Sequence, residues 1–422
     1  MSEEFKNQTF NAKVAWVAMI AGLFIYFAVS CLRYQVPPIT IDLQNALGLS
    51  LTEIGWLSSI LGIVSLILAV PAGYIVMSLG VRRAIALTGA IGLVGTLIGG
   101  FATDFTLLMV GRVFQGTAMG LDAVISFQVV AAFFPPEKRG LPNSFVSASY
   151  VFAYFLMMNI AVPLMNATGE PHWQNLWYFC DGVCLLAIIL AYVCVPKKAD
   201  EPFSGNAEGE KVPRGATLKV WTHPWVWLPA ITFILFNIGY FGIATYYPTF
   251  LVEKVGADQA VANLVVSLNA LVGVPGAVVA GIAMNKLSVP KRKYFPAFTM
   301  VFLALCYLVA FSIPNLMLAI VLMLLVGFTC CFVPPSLYTI GPDIIKAPSL
   351  TAIAIAVVTL GQNLGMSIGP VALGAIVDMT GDWTALGIPT CIMALVGALA
   401  CFLIKIKPIG LDESATEELV EE

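Results

Sequence analysis

The sequence predicts an all-α membrane protein with twelve transmembrane helices, arranged as two six-helix bundles related by pseudo-symmetry. Of its 422 residues, 59% are hydrophobic and 11% are charged, whereas roughly a quarter of a soluble domain is charged. Apolar runs of about 20 residues, the length that crosses a bilayer as a helix, recur from end to end. The alternating pattern of a membrane barrel is absent, which leaves helices to satisfy the backbone in lipid.

The predicted helices follow one another closely except at one long polar stretch between the sixth and the seventh. We expect a first bundle in 1–196, a cytoplasmic linker over 197–223, a second bundle in 224–407 and an acidic cytoplasmic tail over 408–422. The proline, glycine and mixed charge of the linker cannot bury a core. The predicted helices cover 13–46, 52–77, 84–103, 105–134, 142–166, 173–195, 224–252, 260–285, 294–313, 315–340, 348–377 and 383–405.

The placement of basic residues predicts the orientation. All but three of the 21 lysines and arginines fall on the same side as the N-terminus. Lys254 lies in a loop on the other side, and Arg33 and Arg112 lie within helices. Because positive loops stay in the cytoplasm, we expect both termini to be cytoplasmic and the protein to lie in the cell (plasma or inner) membrane.

The two halves of the chain resemble each other at an offset of roughly 210 residues, the pattern of an internal repeat. "AVPAGYIVMSLGVRR" near Gly73 is echoed by "AVVAGIAMNKLSVPKR" near Gly281, and "FFPPEKRG" by "IGPDIIKA". Trp173 and Trp383 begin the sixth and twelfth helices. Three matches in register favour a transporter that rocks two bundles about a site at mid-depth.

Three motifs resemble signatures of the major facilitator superfamily, and the resemblance covers essentially the whole chain. They are "GYIVMSLGVRR" from Gly73 to Arg83, "GRVFQGTAMG" from Gly111 to Gly120, and "NLGMSIGPVALGAIVDMTGDW" from Asn363 to Trp383. The resemblance implies the fold of that superfamily, alternating access, and a cavity lined by helices one, four, seven and ten. Arginines in helices one and four further resemble its organic-anion carriers.

The first of these motifs is expected to form part of the cytoplasmic gate. Its candidate residues are Gly73, Gly80, Arg82 and Arg83. The acidic residue of the family pattern is replaced by Met77, so the usual charge lock is not expected. The glycines still allow a close helix approach and a tight turn, and the arginines still anchor the inner side.

Arg33 lies about twenty residues into the first predicted helix, slightly past the middle of the membrane. Pro37 and Pro38 follow it and are expected to bend the upper part of this helix, because proline lacks an amide donor. A charge at the position of Arg33 costs at least about 2.5 to 3.5 kcal/mol, so it requires a partner or an aqueous cavity. One interpretation is a permanent pair with a buried acid such as Asp122 or Asp181. The preferred one is that Arg33 binds the anionic group of a substrate, because a guanidinium is a planar fork suited to carboxylate or phosphate.

Other polar residues in the first half complete the predicted site. Tyr26 shares a helix face with Arg33, and Tyr154 in the fifth helix is a further candidate contact. Arg112 is either a substrate or coupling residue, or a structural one that bonds to carbonyl groups. Asp122 and Asp181 lie inside helices four and six and are candidate proton carriers, with Asp122 preferred.

The second half offers polar and aromatic candidates in place of buried charge. The candidate substrate contacts there are Asn237, Tyr240, Tyr247 and Asn363. A charged wall opposite a polar and aromatic one suits a small amphipathic anion.

The sequence therefore predicts a secondary transporter of a small anion, coupled to protons or to a counter-anion, acting as a monomer in the bilayer. No enzymatic constellation, cofactor, metal site or nucleic-acid partner is predicted: the nine cysteines have no ligand spacing, and no nucleophile and base pair occurs. Two alternatives remain. Proton-driven efflux of apolar or cationic compounds requires an acidic cavity, and a sensor that binds without transport usually carries a signalling domain.

Overall fold

The computed structural model describes residues 12–135, 138–169, 171–200, 221, 223–344 and 351–405. Regular structure within these ranges is entirely helical, and twelve helical spans are long and apolar enough to cross a membrane. The predicted all-α fold with twelve membrane helices is confirmed. Most of the predicted linker and all of the predicted acidic tail, 408–422, lie outside the described residues.

The α-helices match the predicted segments, apart from two breaks and small shifts of their ends. Their bounds are α1 (Ala12–Arg33), α2 (Thr40–Leu47), α3 (Leu51–Leu79), α4 (Val81–Gly100), α5 (Phe105–Phe133), α6 (Gly140–Met165), α7 (Gln174–Cys194), α8 (Pro224–Glu253), α9 (Gln259–Lys286), α10 (Tyr294–Ala310), α11 (Leu316–Cys330), α12 (Val333–Asp343), α13 (Thr351–Thr380) and α14 (Gly387–Leu403).

The first span is not the continuous helix predicted over 13–46. Helix α1 ends at Arg33, a short 3-10 turn covers Pro37–Ile39, and α2 begins at Thr40. Pro37 and Pro38 have no amide hydrogen to give to the carbonyl groups four residues earlier, so the α-helix cannot continue through them. The prediction that these prolines bend the span is confirmed, but Arg33 ends a helix and does not lie inside one.

The tenth predicted helix, 315–340, is also interrupted. Helix α11 ends at Cys330 and α12 starts at Val333, with Pro334 and Pro335 in its first turn. These prolines are tolerated at the start of a helix, where the first amides have no intrahelical partner anyway. The chain therefore restarts a helix there and does not extend the previous one.

The internal contacts of the chain divide it into two compact units. The first comprises Met1–Asn206 together with Asp258–Ser267, and the second comprises Ala207–Ala257 together with Leu268–Glu422. In the first unit α5 packs against α3 and α4, and α7 packs against α4. In the second unit α13 packs along α8, and α14 packs along α10.

Glycines set the spacing of the α8–α13 pair. A Cβ atom at Gly361, Gly365 or Gly369 would come within 2.4 to 2.6 Å of a backbone carbonyl oxygen of α8. The two helix backbones therefore pack more closely than side chains at these positions would allow, as is common between membrane helices.

Candidate functional site

Arg33 lies beside two tyrosine rings at the end of α1. Its guanidinium carbon is 5.8 Å from the centroid of the Tyr34 ring and 5.6 Å from that of Tyr150, both within cation–π range. The two centroids are 5.6 Å apart, so the three groups form a nearly equilateral triangle. Rings on opposite faces of the guanidinium would be much farther from each other. Both rings therefore lie on one side of Arg33, whose side chain is half-buried.

A third tyrosine extends this surface. The Tyr154 ring is 4.5 Å from the Tyr34 ring in a T-shaped arrangement, and the hydroxyl groups of Tyr34 and Tyr150 are hydrogen-bonded to each other. We call Tyr34, Tyr150 and Tyr154 the tyrosine wall. Arg33 and Tyr154 thus both lie beside the Tyr34 ring.

Tyr26 belongs to the edge of the same cluster. Its ring is 6.4 Å from the Tyr150 ring and 5.9 Å from that of Phe127 in α5. The side chain is half-buried. Tyr150 therefore links Tyr26 to Arg33, although the two residues are two helical turns apart on α1.

Arg112 is fully buried and bonded to the backbone of neighbouring helices. Its Nε donates to the carbonyl oxygen of Leu57 in α3, and its Nη1 donates to that of Leu32 in α1, both at 2.8 Å. Nη1 also lies 2.6 Å from the side-chain oxygen of Gln115 and 3.3 Å from that of Gln35. These contacts match the structural alternative for Arg112, since they use its Nε and Nη1 within the helix bundle. Its Nη2 is buried and has no hydrogen-bond partner among the described residues. None of these contacts joins Arg112 to Asp122.

Two side-chain amides at the start of α9 form hydrogen bonds with the segment that follows the break in the first span. The Gln259 side chain donates to the carbonyl oxygen of Pro38 at 3.0 Å and to the Asp42 carboxylate at 2.7 Å. Asn263 donates to the same Pro38 oxygen at 3.1 Å. A carbonyl that a broken helix leaves without a partner is thus satisfied twice, as a membrane interior requires.

The two candidate proton carriers lie in different surroundings. Asp122 is 3% exposed in α5 and accepts a hydrogen bond from the hydroxyl of Ser126, one turn later. Asp181 in α7 is half-buried and accepts a hydrogen bond from Thr96 in α4. No ion pair joins either carboxylate to an arginine within the described part of the chain. The alternative in which Arg33 pairs permanently with one of these acids is therefore not seen.

The candidates of the second unit are spread along α8 and α13. Asn237 is buried, and its amide bonds to the Phe233 carbonyl of its own helix at 2.8 Å. Tyr240 is half-buried and stacks on Phe236 at 5.7 Å. Asn363 is half-buried on α13. Tyr240 and Asn363 are therefore more open to a ligand than Asn237.

Tyr247 lies in a separate aromatic cluster of the second unit. It is fully buried, and its ring is 5.4 Å from Phe250 and 5.6 Å from Phe311. The Phe311 ring in turn stacks on Trp383 at 6.0 Å. Tyr247 thus packs inside this unit, and its side chain is closed off from solvent.

The gate motif forms the turn between α3 and α4. Gly80 adopts φ of 76° and connects the two helices, which is the tight turn predicted for it. Arg82 lies over the Tyr192 ring at 5.1 Å, and Arg83 is exposed. A Cβ at Gly73 would meet no atom of the described residues within 4 Å, so the close helix approach predicted there is not seen among them.

An ion pair is present at the corresponding place in the second unit. Arg292 bonds to both carboxylate oxygens of Asp343 at 2.9 and 2.8 Å, and its Nε bonds to the Met284 carbonyl. Asp343 lies in "IGPDIIKA", the repeat of "FFPPEKRG". The second unit thus has a bidentate arginine–carboxylate pair at this place.

Sequence reasoning missed Tyr34, Tyr150 and Gln259. Tyr150 contacts Tyr34 across 116 residues of sequence, and no local pattern encodes such a contact. Tyr34 is next to Arg33, so its proximity to the charge was a usable signal. Gln259 and Asn263 are four residues apart at the start of α9, which places their amides on one helix face.

The comparison with protein families decides the identity of the fold. The profile described as Major Facilitator Superfamily matches residues 18–354, well over half of the chain. The chain belongs to the Major Facilitator Superfamily. Its fold is similar to that of a bacterial homolog of the human lysosomal transporter Spinster, solved in an inward-facing, unoccupied conformation. The TM-score is 0.77 at 15% identity, over 93% of this chain and 95% of that one.

Curated relatives are also transporters of this superfamily or are named for transport. The probable galactarate/D-glucarate transporter GudP of Bacillus subtilis is 26% identical over 68% of this chain and 69% of its own. Monocarboxylate transporter 2 of Mesocricetus auratus is 20% identical over 86% and 78%. The uncharacterized MFS-type transporter YhcA of Bacillus subtilis is 25% identical over 42%, and the chain spans about a third of its length, 32%. This superfamily member is therefore a multi-pass membrane protein.

Proposed function

We propose that this protein is a secondary active transporter that carries a small carboxylate by alternating access, driven by proton symport or by anion exchange. It would act as a monomer in the plasma membrane with both termini in the cytoplasm, the orientation that its basic loops favour. The protein's own residues supply the binding site, and gradients supply the energy.

The arrangement of Arg33 carries this proposal. A guanidinium within a membrane span carries a high desolvation cost, so such residues usually mark functional sites. Both tyrosine rings lie on one side of it, and its side chain is only half-buried. The planar fork of a guanidinium can donate two parallel N–H bonds to a carboxylate, and the half-buried position of Arg33 allows a carboxylate to bind beside the tyrosine rings.

Asp122 is the proposed proton carrier. It is buried and bonded to Ser126, and proton relays in transporters are built from acids inside membrane helices. Asp122 lies in α5, the helix that also carries Arg112. A conformational change at the break in the first span could therefore be transmitted along α5 to Asp122. Asp181 is the second candidate, at the contact between α4 and α7.

The names of two relatives support the substrate class. GudP is named for galactarate and D-glucarate, and monocarboxylate transporter 2 for monocarboxylates. Galactarate and glucarate are dicarboxylates with a hydroxyl group beside each carboxylate. Other relatives are named for sugars, such as sugar transporter ERD6-like 2 of Arabidopsis thaliana, which is 26% identical over 41% of this chain. A binding measurement is therefore the appropriate test.

The test is a thermal-shift titration of the purified full chain in detergent against carboxylates, phosphate esters, nitrate, neutral sugars and cationic dyes. We expect carboxylates to raise the unfolding temperature in a saturable way, because a ligand that binds only the folded state stabilises it. Stabilisation by cationic dyes alone would support the efflux alternative, and stabilisation by neutral sugars alone would contradict a role for Arg33 in charge recognition.

A further inference from the structure

Only one of the two hydroxyl hydrogens of Tyr34 and Tyr150 can take part in the hydrogen bond between them. We call the other one the spare hydrogen. Tyr34 and Tyr150 share a hydrogen bond between their hydroxyl oxygens, and each phenol carries a single hydrogen. Only one of the two hydrogens fits between the oxygens, so the other must point elsewhere. No other hydrogen bond to either hydroxyl is formed by residues in the described part of the chain.

Burial decides which hydroxyl keeps the spare hydrogen. Tyr34 is 5% exposed, and a buried donor needs a partner within the protein. The oxygen of Tyr150 is that partner, so Tyr34 donates and Tyr150 accepts. Tyr150 is only half-buried. Its own hydrogen is therefore the one that can reach a ligand.

The Tyr150 side chain lies close to the proposed anion site. The Tyr150 ring is 5.6 Å from the Arg33 guanidinium carbon, and the Tyr154 ring packs against the Tyr34 ring at 4.5 Å. A carboxylate on Arg33 would thus have a phenolic donor beside it. The orientation of that donor is set by Tyr34, which occupies the acceptor site of the Tyr150 oxygen.

We propose that Tyr150 is a specificity-determining residue, which donates a hydrogen bond to a second oxygen of the substrate next to the carboxylate. The ligand class is a carboxylate with a hydroxyl or keto oxygen on the neighbouring carbon. This inference rests on the proposed function, since Arg33 must hold the carboxylate for Tyr150 to reach the neighbouring oxygen. A site with such a donor discriminates against analogues that lack the acceptor.

The experiment compares two pairs of ligands that differ only in hydroxyl groups: lactate with propionate, and tartrate with succinate. Dissociation constants are measured by thermal-shift titration of the full chain in detergent. We expect the wild type to bind the hydroxylated member of each pair about fivefold to tenfold more tightly, the contribution of one neutral hydrogen bond. In Tyr150→Phe this preference should disappear, while affinity for propionate and succinate stays within about twofold.

Tyr178→Phe is the matched control. Tyr178 is 43% exposed and bonds to the Gly100 carbonyl at the far end of α4, so its loss should leave the preference intact. Equal binding of both members of each pair by the wild type would overturn the proposal, without any variant being needed. Equal weakening of both members by Tyr150→Phe would show a structural role and also overturn it. If the wild type binds no carboxylate at all, the proposed function itself fails.

Discussion

The Nη1 atom of Arg112 lies 2.8 Å from the carbonyl oxygen of Leu32, the residue immediately before Arg33. Leu32 lies in the last turn of α1, where carbonyl groups lose their intrahelical donors. In a membrane interior such a group must find another donor, and Arg112 provides it. The two arginines thus have linked roles: Arg112 stabilises the end of the helix at which Arg33 is displayed.

Replacing Arg112 by leucine should destabilise the protein. The Leu32 carbonyl at the end of α1 would lose its donor, at a cost of about 1 to 3 kcal/mol for an unpaired buried group. We expect the unfolding temperature of the purified protein to fall by several degrees, and carboxylate affinity to weaken because Arg33 is displaced. Lys197→Leu, at an exposed lysine outside the site and the gate motif, should change neither quantity. If the Arg112→Leu protein is as stable as the wild type, Arg112 does not stabilise the end of α1.

Asp122→Asn should uncouple transport from the proton gradient. An amide keeps the shape of the side chain but cannot exchange a proton, so accumulation driven by a pH gradient in proteoliposomes should be lost. Exchange of labelled for unlabelled carboxylate needs no net proton movement and should persist. Asp181→Asn, which removes the half-buried acid of α7, serves as the comparison. If Asp122→Asn accumulates the carboxylate at the wild-type level, Asp122 is not the proton carrier. Another group then carries the proton, or transport is driven by anion exchange.

The sequence was sufficient to predict the helices and the unusual charge, because both depend on local composition. Hydropathy and length define twelve spans, and an arginine in the first of them is conspicuous against an apolar background. The prolines at 37 and 38 also predicted a bend, for a reason that belongs to proline itself.

The surroundings of Arg33 could not be read from the sequence in the same way. The acceptors of Arg112 are backbone carbonyl groups of Leu57 and Leu32, and any residue type carries such a group. Tyr150 reaches Arg33 only because α6 packs against α1. Contacts of this kind follow from the packing of helices that are far apart in sequence, and hydrophobic periodicity does not specify them.

The close packing of α13 on α8 makes a direct prediction about stability. A Cβ at Gly365 would lie 2.4 Å from the Ile234 carbonyl oxygen and 2.7 Å from the Cβ of Asn237, so Gly365→Ala must push the helices apart. Overpacking of this kind typically costs about 1 to 3 kcal/mol, which thermal unfolding in detergent detects.

Gly182→Ala provides the control for this substitution. A Cβ at Gly182 in α7 would meet no atom within 4 Å, so alanine should be neutral or slightly stabilising there, given its better helix propensity. Should Gly365→Ala unfold at the same temperature as Gly182→Ala, the helices cannot be as close as the structure places them.

The central claim is that Arg33 binds the negative group of the substrate. The most direct measurement is uptake of a labelled carboxylate into proteoliposomes by the wild type, Arg33→Lys and Arg33→Gln, each checked for thermal stability. Loss of the planar fork should reduce uptake by Arg33→Lys tenfold or more, about the value of one charge-assisted hydrogen bond, and loss of the charge should abolish it in Arg33→Gln. Uptake at the wild-type rate by either folded variant would contradict the account.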